Sequence, residues 1–117
     1  MPPKAKQKEA EHGESPYYEA TGVCVINKDL PNRVQAIELA KVGAITVAKS
    51  KLLEKIKGAY LKNEIEVENL SNATSKLTSK IEGVIYGSEV VGEPIVDSEK
   101  VEVKIRLNKD KVAKSIN

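Results

Sequence analysis

Cys24 and His12 are the single cysteine and the single histidine of the chain, so any thiol–imidazole pair, catalytic or metal-binding, must be built from them. A thiolate needs a base or a cation beside it to act near neutral pH. His12 falls in the polar opening stretch MPPKAKQKEAEHGESP, with no apolar pattern to hold it against Cys24. Cys24 therefore reads as a buried core thiol. A zinc-type site needs several converging ligands, and one of each kind is too few. A lone cysteine also means that the fold cannot depend on an internal disulfide.

Other candidates fail on spacing. Glu64, Glu66 and Glu68 alternate, so on a strand they point one way, without the turn that closes a calcium loop. They read as a solvated face. Gly83, Gly87 and Gly92 lack the dense pattern joined to Lys and Ser/Thr that cradles phosphate, and read as turns or bulges. Asn72-Ala73-Thr74 fits an N-glycosylation acceptor, but reads better as side-chain capping of a following helix. No catalytic, cofactor-binding or metal-ligating residue is expected, and the chain reads as non-enzymatic.

The 117 residues suit one small domain. With four tyrosines and no Phe or Trp, the core must be aliphatic, and sites that stack bases on aromatic rings are not expected. The net charge of +2 comes from interspersed signs, which argues against a nucleic-acid partner. No apolar run has the length of a membrane span. No signal peptide is visible, which leaves either a cytoplasmic protein or a mature form whose leader has been removed.

Residues 1–16 hold no large hydrophobic residue after Met1 and read as a disordered polar tail. Tyr17 to Ile26 reads as a strand. Tyr18, Ala20, Gly22, Cys24 and Ile26 share one face, small at its middle, and Tyr17, Glu19, Thr21, Val23 and Val25 share the other. Asn32 can cap a helix of about 25 residues ending at Gly58, about 38 Å long.

One arc of that helix holds Ala36, Ile37, Ala40, Ala44, Ile45, Val47, Ala48, Leu52 and Ile56. Its row of alanines permits close approach to the Gly22–Cys24 face. A second stripe, Leu39, Val42, Thr46 and Leu53, needs its own cover: another helix of this chain, or a neighbouring subunit.

Glu64 to Glu68 reads as a short strand with Ile65 and Val67 inward. A weaker helix from Ser71 to Glu82 would be ended by Gly83, with Leu70, Ala73, Thr74, Leu77 and Ile81 on one side. Residues 83–96 read as a long strand, bent or bulged at Gly87, Gly92 or Pro94. A turn at Asp97, Ser98 and Glu99 leads into Lys100–Asn108, where Val101, Val103, Ile105 and Leu107 alternate inward. Residues 109–117 read as a charged tail. The expected fold is α+β: strand, long helix, short strand, helix and β-hairpin, with helices on one face of a mostly antiparallel sheet, in a single domain over residues 17–108.

The stretches EATGVCVI, QAIELAKVGAITVAKSKLLEKIKG, GVIYGSEVV and KVEVKIRL, covering roughly residues 18–107, resemble the flagellar basal-disk lipoproteins (FlgP), the related LPP-type outer-membrane lipoproteins and the N-terminal domain of FlgT. The shared outline falls on Ala20 and Gly22, on Gln35, Ala36, Ala40, Lys41, Ala44 and Ala48, on Leu52, Glu54, Ile56 and Gly58, and on the hairpin to Leu107. Cys24 stands in place of the second glycine, Val42-Gly43-Ala44 spans the mid-helix Arg-Ala position, and Val47 replaces an Asp. No lipidation cysteine is present; Cys24 follows no apolar leader and is not read as an anchor.

The resemblance implies a structural, flagellum-associated protein of the bacterial envelope, a basal-disk or ring component on the periplasmic side of the outer membrane. Its partners would be copies of itself and other flagellar or outer-membrane proteins, with no cofactor. Leu39, Val42, Thr46 and Leu53 are then the expected oligomer interface. The alternative is a monomeric periplasmic module binding a small ligand or a protein, with an apolar pocket between sheet and helix.

Overall fold

A computed structural model describes residues 15–64 and 70–116. The fold is α+β, with a long helix packed on an antiparallel sheet. Strand β1 (Tyr17–Val25) leads into helix α1 (Arg33–Glu64), helix α2 (Leu70–Ile85), the short strands β2 (Glu89–Val90) and β3 (Ile95–Val96), strand β4 (Lys100–Asn108) and helix α3 (Lys109–Ile116). The expected short strand over 64–68 is not tested beyond its first residue: Glu64 closes α1, and 65–69 lie outside the described residues.

Strand β4 is the spine of the sheet. β1 pairs with it antiparallel along its whole length, from Tyr17 opposite Asn108 to Val25 opposite Lys100. β2 and β3 lie end to end on its other side. Between them, residues 91–94 face only residues 103–104 of β4, so two extra residues bulge out. Gly92 sits in that bulge at φ 69°, a region that only glycine adopts readily. The expected long strand is therefore two short ones, and its opening residues 83–85 belong to α2. The turn into β4 is held by Asp97, whose carboxylate accepts the Glu99 and Lys100 amides at 2.7 and 2.8 Å. Those two bonds hold its pKa below the usual carboxylate range.

The core lies between the sheet's inner face and the helices. Val101, Val103, Ile105 and Leu107 of β4 are buried, as are Ala36, Ala40, Ala44, Ala48, Leu52 and Ile56 of α1 and Leu77, Ile81 and Ile85 of α2. Ile37, Ile45, Tyr18, Ala20 and Cys24 pack against this cluster half-buried. Gly22 lets α1 settle onto β1. A Cβ there would overlap the Ala44 carbonyl oxygen and the Ala48 amide nitrogen, and would stand 3.0 Å from Ala48 Cα.

The helix boundaries differ from expectation in two places. Asn32 does cap α1, accepting the Gln35 amide at 3.1 Å. Gly58 does not end α1, which runs on to Glu64, and Gly83 does not end α2. Neither glycine has a positive φ, and nothing lies within 4 Å of a Cβ built on either. Alanine at Gly58 or Gly83 should therefore stabilise the fold by about 0.5–1 kcal/mol each, read as a higher melting temperature.

Residues 109–116, expected as a charged tail, form α3 instead, with Val112 fully buried. Asn108 caps it, accepting the Asp110 and Lys111 amides at 2.8 and 3.2 Å.

Candidate functional site

The alanine row that seats α1 also decides which apolar residues are left outside. Steps of four residues on a helix advance 400°, so an i, i+4 row drifts about 40° per step. The buried row therefore coils around α1 from Ala36 to Ile56. Leu39, Val42, Thr46 and Leu53 share a side on a flat projection, but the drift separates them. Leu53 turns toward α2 and packs half-buried against the core. Val42 stays on the outside, 61% exposed, and Leu39, 54% exposed, stands on the flank of α1 beside Cys24. Of the two covers considered for this stripe, a helix of the same chain covers Leu53 and leaves the other three open.

Thr46 adds to the apolar row rather than interrupting it. Its hydroxyl donates back to the Val42 carbonyl at 3.0 Å, which satisfies the polar atom within the helix. Val34, 69% exposed, extends the row one turn beyond Glu38. Sequence reasoning missed Val34 because it counted the second stripe only from Leu39. Glu38 lies on the same side and takes Lys41 as an ion-pair partner at 3.0 Å. The i, i+4 row Val34, Glu38, Val42 and Thr46 is apolar but for Glu38, and Leu39 stands about 140° from Val34 on the flank.

The titratable residues do not converge. Cys24 is half-buried rather than fully buried, with its thiol 3.6 Å from the Val25 carbonyl it donates to. Its Sγ lies against Gly43, where a Cβ would come within 2.6 Å of it. His12 and Glu66 and Glu68 lie outside the described residues. Asn72, Ala73 and Thr74 fall within the first turns of α2, which starts at Leu70, one residue before the expected Ser71. Among the described residues, no three His, Cys, Asp or Glu side chains stand together as a metal site. Nor is any described helix long and apolar enough to cross a membrane.

On the outer face of the sheet, Arg106 is the most organised side chain. It stacks 4.2 Å over the Tyr17 ring and donates to the Glu89 carboxylate at 2.6 Å. That carboxylate raises the Arg106 pKa further. The pairing ties β1 to β2 across β4, a structural task.

Two recesses bear on ligand binding. One of ≈ 190 Å³ opens between sheet and helix beside Cys24, Leu30, Ala36 and Leu39. The other, ≈ 520 Å³ and open to solvent, lies between α1 and α2 beside Lys49, Leu53, Glu82 and Tyr86. Lys49 stands 5.8 Å over the exposed Tyr86 ring there. No protein-family model matches the chain, and no curated protein matches it.

Proposed function

We propose that the chain is a non-enzymatic assembly protein of the bacterial cell envelope, flagellum-associated, that works by joining copies of itself through the outer side of α1. One observation carries the self-association: Val34 and Val42 stay exposed on the side of α1 away from the sheet, with Leu39 exposed on its flank, and Thr46 has bonded its hydroxyl back to the Val42 carbonyl. An apolar row left in water favours a partner that removes it from water. The envelope address, on the periplasmic face of the outer membrane in a ring or disk, rests on the resemblance of the residue pattern to basal-disk lipoproteins.

Light scattering on the full chain over a concentration series tests the association. The expected result is a defined oligomer or growing regular particles. Val42→Asp should return the protein to a monomer, because a charge placed in an apolar contact loses its water without gaining a partner. Its melting temperature should stay close to the parent's, since position 42 is exposed in the single chain. A strict monomer at high concentration overturns self-association through this row. Antibody labelling of isolated basal bodies tests the flagellar assignment separately, and absence of label there removes it.

A further inference from the structure

The two edges of the sheet are built differently. On one side of β4, the edge is broken into two-residue strands by the Gly92 bulge and Pro94, devices that discourage pairing. On the other side, β1 runs for nine residues and is the last strand of the sheet among the described residues. The ladder shows which of its groups are free. The Ile26 amide donates to Glu99, and Pro16 accepts from Lys109, both at 2.8 Å. In an antiparallel ladder these alternate, so even-numbered residues of β1 face β4 and odd-numbered ones turn N–H and C=O outward.

The ends of this outward row have partners. The Tyr17 amide donates to Ser15 Oγ at 3.1 Å, and the Glu19 carbonyl accepts from Lys55 Nζ at 2.8 Å. At its middle, Thr21 and Val23 have no neighbouring strand among the described residues.

We propose that this edge of β1 takes an extended segment of another polypeptide as an added antiparallel strand, apolar where it passes Val23 and Val25 and acidic where it passes Lys51 and Lys55. Charge decides the acidic half. Lys51, Lys55 and Lys104 surround the edge at Glu19–Thr21, around a recess of ≈ 470 Å³. Lys104 is paired with the Glu19 carboxylate at 3.4 Å, but Lys55 holds only a carbonyl, and Lys51 has no carboxylate partner among the described residues. The other half is apolar: Val23 and Val25 are exposed, and Leu39 overhangs the same end beside Cys24.

A second copy of the chain does not fit this edge. Helix α1 lies directly over β1, with Ala44 and Ala48 against Gly22 and Gly43 against Cys24. Pairing two β1 strands about a two-fold axis would set two such helices about 5 Å apart, where packed helices need about 8–10 Å. A lone strand brings no helix of its own. It would slide beneath the flank of α1, where the lysines wait. This goes beyond self-association through the outer side of α1, and either can fail alone.

The test uses the full chain and a synthetic eight-residue peptide, acetylated and amidated. It carries valine throughout its first half; in its second half glutamate lies on the face toward α1 and threonine on the other. The expected result is saturable binding in fluorescence anisotropy, with slowed hydrogen exchange at the Thr21 and Val23 amides. The double variant Lys51→Glu/Lys55→Glu should bind about tenfold more weakly or worse, and should prefer the peptide with lysine in place of glutamate. Val23→Pro removes an outward N–H while leaving the ladder to β4 whole, and should abolish binding; the lysine variant decides the question if the proline variant does not fold. The proposal is overturned by no saturable binding, by binding without protection at Thr21 and Val23, or by indifference to the lysine reversal. Protection that grows with protein concentration in the absence of peptide also overturns it, because the occupant is then a second copy.

Discussion

Gly22→Ala should cost the fold about 3 kcal/mol or more and lower the melting temperature by roughly 15 °C. The added methyl would occupy space already held by the Ala44 carbonyl oxygen and the Ala48 amide nitrogen. Both are backbone atoms of a helix, so no rotamer change relieves the overlap. Either α1 lifts off β1, opening gaps along the alanine row, or β1 bends away from β4 and strains the ladder. The same reasoning predicts that a second change does not rescue the first. Trimming Ala48 to glycine removes a side chain, while the clash is with main chain, so the double variant should melt no higher than Gly22→Ala. Thermal unfolding followed by circular dichroism reads both. A melting temperature within a few degrees of the parent would mean that α1 does not rest on β1 at this point. Alanine has the opposite sign at Gly58 and Gly83, so the three glycines form an internal control: one is there for contact, and two have nothing beside them.

The contact between the alanine row and Gly22 was legible because both sides carry a period. Small residues at every fourth position of a helix and at alternate positions of a strand describe two surfaces that can only meet closely. The same logic gave the bounds of β4 and its buried Val101, Val103, Ile105 and Leu107. Glycines divide: Gly92 marks an expected bulge, whereas Gly58 and Gly83 end nothing. Gly58 and Gly83 look like helix stops, but a stop requires the left-handed turn, and packing on either side carries both helices through. Residues 83–86 are apolar enough for a strand, yet Ile85 continues the helical row of Leu77 and Ile81 into the core. Tertiary burial decided that segment over local preference.

The candidate surface was half legible. Its residues were readable from the helical period, but their exposure depends on how far α2 reaches. That reach covers Leu53 and stops short of Leu39 and Val42. The free edge of β1 was not readable at all, since strand order and the outward turn of Thr21 and Val23 follow only from the pairing with β4.

Helix α3 had a sequence signal that charge concealed. Asn108 is a good helix cap, and Val112 and Ile116 follow it at four-residue spacing. Six charged or polar residues between and around them give residues 109–117 the look of a tail. The structure makes Val112 fully buried, and among the described residues the core contains no buried polar side chain. Val112→Asp should therefore destabilise the domain by about 3–5 kcal/mol, the cost of a buried charge left without a partner. Lys111→Asp, one residue away and exposed, should change little. The pH dependence distinguishes a buried charge from a merely poor fit. Burial raises the folded-state pKa of the new carboxyl above its unfolded value, so the folded protein takes up the proton first. The penalty is full above the folded-state pKa and shrinks as pH falls toward the ordinary carboxylate range. Val112→Ala leaves a cavity but adds no titrating group, so its loss should not change with pH in this way. Chemical denaturation of the three variants at neutral and mildly acidic pH measures all of this. If Val112→Asp proves as stable as Lys111→Asp, residues 109–116 do not close the core, and the lower end of α2 must be covered by something else.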